Sequence, residues 1–312
     1  MTSRRAYAFR CPPQAEPGVH TVKWAALRWL YRRDIADVGL KLGAEPFAPI
    51  LDHYPEIPLK VVRPYLTVAL RRGNRAVALV GHYAAAARLL CDAALVESHT
   101  GCLELVAVAT SAGKVAVELT GQGGLYREAG WRLVLCLDHR PITEMGLAIV
   151  DRSLLRIKEA GEVFLTGALK SVSAGAQGLE DARGLTNAME GMRPKTVLLF
   201  VAQVLSRSLG LSGLFAVSNA GHVFATDYSL RRRISADYDG FWTESGGLRT
   251  DPLMFAMPTA KAARAYRVQA QQTGTGSQAM ASGGSTYRPD EGVNSAFAPE
   301  ITALCAIAGS MP

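Results

Sequence analysis

The spacing of apolar positions along the chain changes several times, and each change predicts a different kind of element. Residues 19–43 share apolar and basic positions as an amphipathic helix does, with Trp24 and Trp29 on the apolar side. A proline-rich connector follows, carrying Pro46, Pro49, Pro55, Pro58 and Pro64. The hexapeptide YLTVAL fits neither period, and AVALVGHYAAAARLL (Ala76 to Leu90) reads as a helix or as strand, turn and helix. The middle of the chain is β-rich. LELVAVAT (Leu103 to Thr110) and KVAVELT (Lys114 to Thr120) flank a Ser-Ala-Gly hairpin signal. WRLVLCLD (Trp131 to Asp138) and MGLAIVD (Met145 to Asp151) lie around a turn at Pro141, and EVFLTGAL (Glu162 to Leu169) is a fifth strand. Their alternation is only partial, which predicts strands covered on both faces.

Beyond these strands the period lengthens again. Asp181 to Met189 reads as a helix, and Pro194 to Leu209 as a stronger one. Pro194 suits the first helical position, Val197, Val201, Leu205 and Leu209 recur every four residues, and Gly210 suits the residue just past the end. LFAVSN (Leu214 to Asn219) is then a short buried strand, and HVF (His222 to Phe224) opens another. From about Val268 the chain is rich in Gly, Ser, Gln and Ala and nearly free of charge, which predicts a disordered tail over 268–312. The expected organisation is an irregular N-terminus (1–18), an N-terminal helical part (19–100), an α/β domain with a central mixed sheet and flanking helices (101–267), and that tail.

Composition narrows the picture only a little. Apolar residues make up 49% of 312 positions, enough for a substantial core. The net charge of +7 favours anionic partners such as phosphates, nucleotides, nucleic acid or acidic lipid, without choosing among them. Five cysteines, Cys11, Cys91, Cys102, Cys136 and Cys305, show no CxxC spacing, so reduced thiols in a cytoplasmic protein are expected. The N-terminus lacks the apolar core of a signal peptide, and no stretch reaches the roughly 18 apolar residues of a transmembrane helix. The helix bearing Trp24 and Trp29 either lies on an anionic membrane surface or docks its aromatic side on the body of the protein.

The chemistry is concentrated between Asn187 and Gly247. Gly191, Arg193, Lys195 and Thr196 surround the start of the helix at Pro194, where unpaired N–H groups and the dipole's positive end favour an anion. Basic residues there oppose the dipole, which hints at a functional reason; a solvated first turn is the plain alternative. Neither GxxxxGK[ST] nor GxGxxG is present. DYDGFWTESGG (Asp237 to Gly247) places Tyr238, Asp239 and Glu244 among aromatics, where carboxyl pKa values rise and acid–base roles become available. The alternative is a structural corner with Phe241 and Trp242 packed inward and the acids capping a helix. Asn219 and His222 follow a strand end, the usual location of ligand groups in open α/β sheets. His82 is a further candidate; His53 and His99 rank below it, and His139, in a turn, is expected to be exposed. No metal site is predicted, although His82, His222, Asp237, Asp239 and Glu244 are the residues that would form one if the fold brought them together.

The order strand, basic Gly-containing loop, helix, strand resembles the GNAT acetyltransferase superfamily over roughly residues 100–245. In that superfamily the loop amides hold the pyrophosphate of an acyl-coenzyme A. Here an extra segment, Lys170 to Met189, intervenes between strand and loop. GMRPK (Gly191 to Lys195), AVSN with a following His (Ala216 to His222), DYDGFWTESGG and the His82–Tyr83 pair resemble the VirK/YbjX family of bacterial proteins over about residues 45–260. That resemblance implies an association with virulence, cationic-peptide resistance and the cell envelope, and carries over no catalytic residues.

The expected function is an acyl- or aminoacyl-transferase-like enzyme. Acyl-coenzyme A or aminoacyl-tRNA is the donor, held by Gly191, Arg193, Lys195 and Thr196. A small amine or hydroxyl acceptor is oriented by Asn219, His222, Tyr238, Asp239 and Glu244. The alternatives are a non-enzymatic envelope-associated binding protein touching anionic membrane and a metal-dependent His–carboxylate enzyme. RNA binding through the basic surface is a weaker reading, without a recognisable motif.

Overall fold

The structure is a computed structural model that describes residues 19–258, apart from 122, 124, 156, 158, 173, 174, 190, 226–233 and 235. The predicted N-terminal irregular segment, the tail over 268–312, Cys11, Cys305 and the basic run at Arg231 lie outside the described residues.

The first helical stretch is two helices, α1 (Val19–Leu30) and α2 (Arg32–Leu42), separated by a turn at Tyr31. The proline-rich connector is not extended. It holds α3 (Ala48–His53) and a 3₁₀ helix (Ile57–Val62), each with proline near its start, where the missing N–H costs nothing. Ala76 to Leu90 belongs to one helix, α4 (Asn74–Leu89). A further helix, α5 (Asp92–Thr100), falls within the expected helical part (19–100) but is not marked as an element of its own, because its apolar residues form no stripe.

Among the described residues a single sheet of eight strands runs in the order β1-β2-β3-β4-β5-β6-β8-β7. The first five strands are β1 (Leu103–Thr110), β2 (Gly113–Thr120), β3 (Trp131–Leu137), β4 (Arg140–Asp151) and β5 (Glu162–Ser171), an antiparallel meander. The β3–β4 turn lies at Asp138–His139, not at Pro141: both residues have positive φ, as a two-residue hairpin turn requires, and Asp138 Oδ1 accepts from the Lys114 N–H at 2.9 Å. Pro141 sits inside β4 opposite Cys136 and next to a bulge at Ile142, a position where a strand tolerates a missing N–H. His139 is exposed, as expected.

After β5 come α6 (Gly175–Ala188), which starts before the predicted Asp181, and α7 (Pro194–Ser208), followed by Gly210 at φ +67°. β6 (Leu214–Val217) returns parallel to β5. The expected strand at His222–Phe224 is instead a series of turns. DYDGFWTESGG forms α8 (Tyr238–Glu244), and β7 (Leu248–Asp251) and β8 (Met254–Met257) complete the sheet as a hairpin. The architecture is an α/β fold, a mixed sheet with flanking helices preceded by an N-terminal helical segment. Long runs of β3, β4 and β5 are buried, as their partial alternation predicts. Leu79, Leu95, Trp131, Leu133, Phe164, Leu198 and Trp242 belong to one continuous core.

Candidate functional site

β5 and β6 pair only through Phe164–Thr166 and Leu214–Ala216. Beyond those residues the two chains part, and other segments of the protein enter. Gly167 explains how they approach: a Cβ there would lie 2.2 Å from the Glu128 carbonyl oxygen and 3.1 Å from that of Leu66. The segment Pro64–Val68 is tied to both sides. Leu66 N–H donates to Arg127 O at 2.8 Å, Val68 N–H to Gly221 O at 2.9 Å, and the Thr67 hydroxyl to the same carbonyl at 2.8 Å. Arg127 donates to Pro64 O and Val223 O, both at 3.1 Å.

Three buried side chains meet in this junction: His222, Glu128 and Tyr238. His222 Nε2 lies 3.3 Å from Glu128 Oε1, and Nδ1 accepts from Phe224 N–H at 3.3 Å. Nδ1 as acceptor places the proton of a neutral ring on Nε2, which donates to the carboxylate. The Tyr238 ring stacks on His222 (5.5 Å between centroids, 13° between planes) and, on its other side, near Trp242 (6.2 Å, 11°). Burial first, and the Glu128 charge second, push the Tyr238 phenol up to about 12, while a hydrogen bond from Leu169 N–H to its oxygen acts in the opposite direction. Trp242 is anchored by its Nε1–H on Val217 O at 2.9 Å. A carboxylate, an imidazole and a phenol in one dry junction can accept and deliver protons.

The remaining predicted residues are distributed around this core. Asn219 holds the start of α8: its Oδ1 accepts from Tyr238 N–H (2.8 Å) and Asp239 N–H (3.2 Å), and its Nδ2 donates to Ala236 O (3.0 Å). Asp239 accepts from Asn219 N–H at 2.8 Å and pairs with Arg249. Asp237 caps α8 through Gly240 N–H, as the alternative reading of the acids has it, whereas the Asp239 carboxylate bonds outside the helix. Glu244 is exposed and 3.9 Å from the exposed guanidinium of Arg193. That contact brings the start of α7 beside the end of α8. Arg193 occupies the N-cap of α7 in extended conformation, Gly191 is at φ +88°, and Lys195 and Thr196 are half-buried in the first turn. Burial lowers the Lys195 ammonium pKa.

His82 lies elsewhere, fully buried beneath Trp131 (4.7 Å between centroids) and beside His99 (5.6 Å), with Nδ1 accepting from Ile149 N–H at 3.2 Å. Burial holds its pKa well below the usual histidine value, with His99 and Lys60 adding to the effect. The five residues considered for a metal are therefore divided among separate clusters, and among the described residues no group of three His, Cys, Asp or Glu side chains is placed to hold a metal ion. Among the described residues no helix is long and apolar enough to cross a membrane.

Glu128, Arg127 and Lys60 have no forecast in the sequence. The signal available was weak: GQGGLYREAG, a glycine-rich polar stretch interrupting the strands, marks a loop that approaches backbone closely, and it buries Glu128 together with Leu125 and Ala129.

Comparison with known proteins places the chain. It is 26% identical over 239 residues to "Uncharacterized protein YbjX" of Escherichia coli (strain K12), covering 71% of this chain and 63% of the relative, so the match spans somewhat under two thirds of that relative's length. No solved structure matches it. A family model described as "Protein of unknown function (DUF535)" matches residues 18–270, most of the chain and all of the sheet and junction described above. The chain belongs to this DUF535 family, the VirK/YbjX family that its motifs resemble.

Proposed function

We propose that the chain is an acyl- or aminoacyl-transferase-like enzyme. The observation that carries this reading is the junction where β5 and β6 part, which gathers His222, Glu128 and Tyr238 past the carboxyl end of β6 and of its parallel pairing with β5. The helix joining those strands, α7, has Arg193 and Lys195 in its uncapped first turn. A strand, a basic helix start and a second parallel strand support the likeness to GNAT acetyltransferases, with α6 as the interposed segment.

In this reading the phosphate-bearing donor rests on the first turn of α7, with its acyl group toward the junction. Glu128, oriented by His222, accepts a proton as the acceptor nitrogen attacks the acyl carbonyl carbon. The bond from that carbon to the leaving sulfur or oxygen breaks, and Tyr238 protonates the departing atom. Glu244, exposed beside Arg193, belongs to the donor end rather than to the proton transfer. The test is a thermal-shift and turnover screen with acyl-coenzyme A thioesters and aminoacyl-tRNA. A donor that stabilises the wild type and loses that effect in the Arg193→Ala, Lys195→Ala double variant supports the reading; unchanged donor binding in that variant sinks it.

A second reading is a membrane-associated binding protein, favoured by α1 and α2. Trp29 and Leu40 are 65% and 79% exposed, and Arg32 and Arg63 lie over the Trp29 and Trp24 rings at 4.6 and 4.7 Å. Aromatic and basic groups together at a surface suit an anionic bilayer. Co-sedimentation with anionic vesicles that is lost on deleting residues 1–43, without turnover, would favour it.

A further inference from the structure

Lys60 is the most unusual side chain in the molecule. It lies on the 3₁₀ helix (Ile57–Val62), only 6% exposed, and its Nζ makes one hydrogen bond, to Ala129 O at 3.2 Å. No carboxylate comes within ion-pair distance of it among the described residues. It rests instead against the faces of Tyr126 (5.1 Å) and Tyr65 (5.7 Å). A buried ammonium with two uncommitted protons is costly, and burial lowers its pKa to about 8.

Lys60 borders a cavity of about 30 Å³, more than one water needs, which Tyr83, His99, Tyr126 and Glu56 also line. Arg132 lies on its wall but is already paired with Glu144. The mouth is formed where Tyr54, Glu56 and Gly121 are only half-buried. His99 is 1% exposed. Its Nδ1 is 2.8 Å from Leu95 O, which can only accept, and 3.3 Å from the Trp131 indole N–H, which can only donate; the much shorter contact with the carbonyl puts the ring proton on Nδ1 and leaves a lone pair on Nε2. That Nε2 is buried with no hydrogen-bond partner among the described residues. Burial holds the His99 pKa at about 4, so the ring is a neutral acceptor at ordinary pH.

Among the described residues the cavity thus offers a buried cation with no carboxylate in ion-pair contact, on which the Glu56 charge in the lining acts from further away, and a buried acceptor, His99 Nε2, without a donor. We propose that it binds a small α-hydroxy or α-amino carboxylate, the carboxylate on Lys60 Nζ and the adjacent hydroxyl or amine on His99 Nε2. A single uncommitted positive charge matches a monoanionic carboxylate better than a phosphate dianion. The Tyr83 and Tyr126 rings line the same cavity and flank the ligand. The loop residue Ala129 that touches Lys60 adjoins Glu128, so an occupant would sit behind the wall of the β5–β6 junction. This site is distinct from the donor position at α7 and stands whether or not the transferase reading holds.

The experiment uses the full chain with glycolate and glycine as probes, and acetate and methylamine as controls, read by thermal shift and titration calorimetry. Glycolate or glycine should raise Tm in a saturable way, at saturation raising the folded-to-unfolded ratio by about 100-fold at a hundred times Kd. The Lys60→Met variant, which removes a poorly partnered buried charge and should fold by circular dichroism, should show no response. No response of the wild type to either probe, or an equal response in Lys60→Met, overturns the site. A response to acetate equal to that for glycolate overturns the role given to His99 and with it the ligand class.

Discussion

Asn219 and Asp239 hold each other reciprocally: the Asn219 backbone N–H donates to the Asp239 carboxylate at 2.8 Å, and the Asp239 backbone N–H donates to the Asn219 side-chain oxygen at 3.2 Å. The pair fastens the turn after β6 to the first turn of α8, and so fixes where Tyr238 stands relative to His222. Asn219→Ala should destabilise the fold by about 1–3 kcal/mol, since it orphans two N–H groups at a helix start. In a chain of this size that is a Tm loss of about 2–4 °C per kcal/mol. A substitution that leaves Tm unchanged would show that the turn is held by other means.

Glu128 and His222 allow stability and chemistry to be separated. Glu128→Gln keeps a hydrogen-bonding side chain of the same shape but removes the charge. If Glu128 is the proton acceptor, turnover should fall by about 10²–10⁴-fold with little change in Tm. Tyr238→Phe should lower kcat while leaving donor affinity intact. Equal activity of wild type and Glu128→Gln would remove the carboxylate from the mechanism.

The pH dependence of stability follows from His82 and His99. Both have folded pKa values depressed below the unfolded value of about 6.5, His99 to about 4. Between those values the unfolded chain binds more protons than the folded one, so stability rises with pH there. The contribution is fully present above about pH 6.5 and is lost as pH falls toward 4. Denaturant midpoints measured from pH 7 to 4 should fall across that window, and His99→Phe should flatten the slope.

Glu144 accepts from Arg132 and lies 3.1 Å from Lys170 Nζ, with its own carboxylate buried. Glu144→Ala should cost about 3–5 kcal/mol because it leaves the Arg132 guanidinium buried and unpaired. The double variant Glu144→Ala, Arg132→Met should recover part of that loss, a sign that the charge rather than the packing is at fault. Urea unfolding of the three proteins checks this.

Gly167 tests the close approach at the junction. Gly167→Ala places a methyl 2.2 Å from the Glu128 carbonyl, which is backbone and cannot swing away. A loss of about 1–3 kcal/mol is expected, together with displacement of Glu128 from His222. Gly191→Ala meets no atom within 4 Å and carries only the strain of positive φ, so its effect should be much smaller.

The sequence by itself determined the elements whose period is local. β1, β3 and β5 begin at the expected residue and β2 one residue before it, and α7 runs from Pro194 to the residues before Gly210 because apolar spacing, a first-turn proline and a terminal glycine agree. The capping role of Asp237 was likewise readable, since a cap is a contact over three residues. The tertiary structure decided everything that depends on pairing across distance. α5 has no apolar stripe, and its His99 is buried only because Trp131 and His82 cover it. β7 and β8 are four residues each; β8 gains its place from pairing with β6, and β7 from pairing with β8. His222 was visible as a candidate, but its partner Glu128 lies four strands earlier in the chain, and nothing in the sequence marks Lys60, whose Nζ meets the loop before β3 at Ala129 O. The periods of helices and strands are set by backbone geometry and are written along the chain. A buried charge and its neighbours are set by which segments the folded core forces together, and no spacing in the sequence records that.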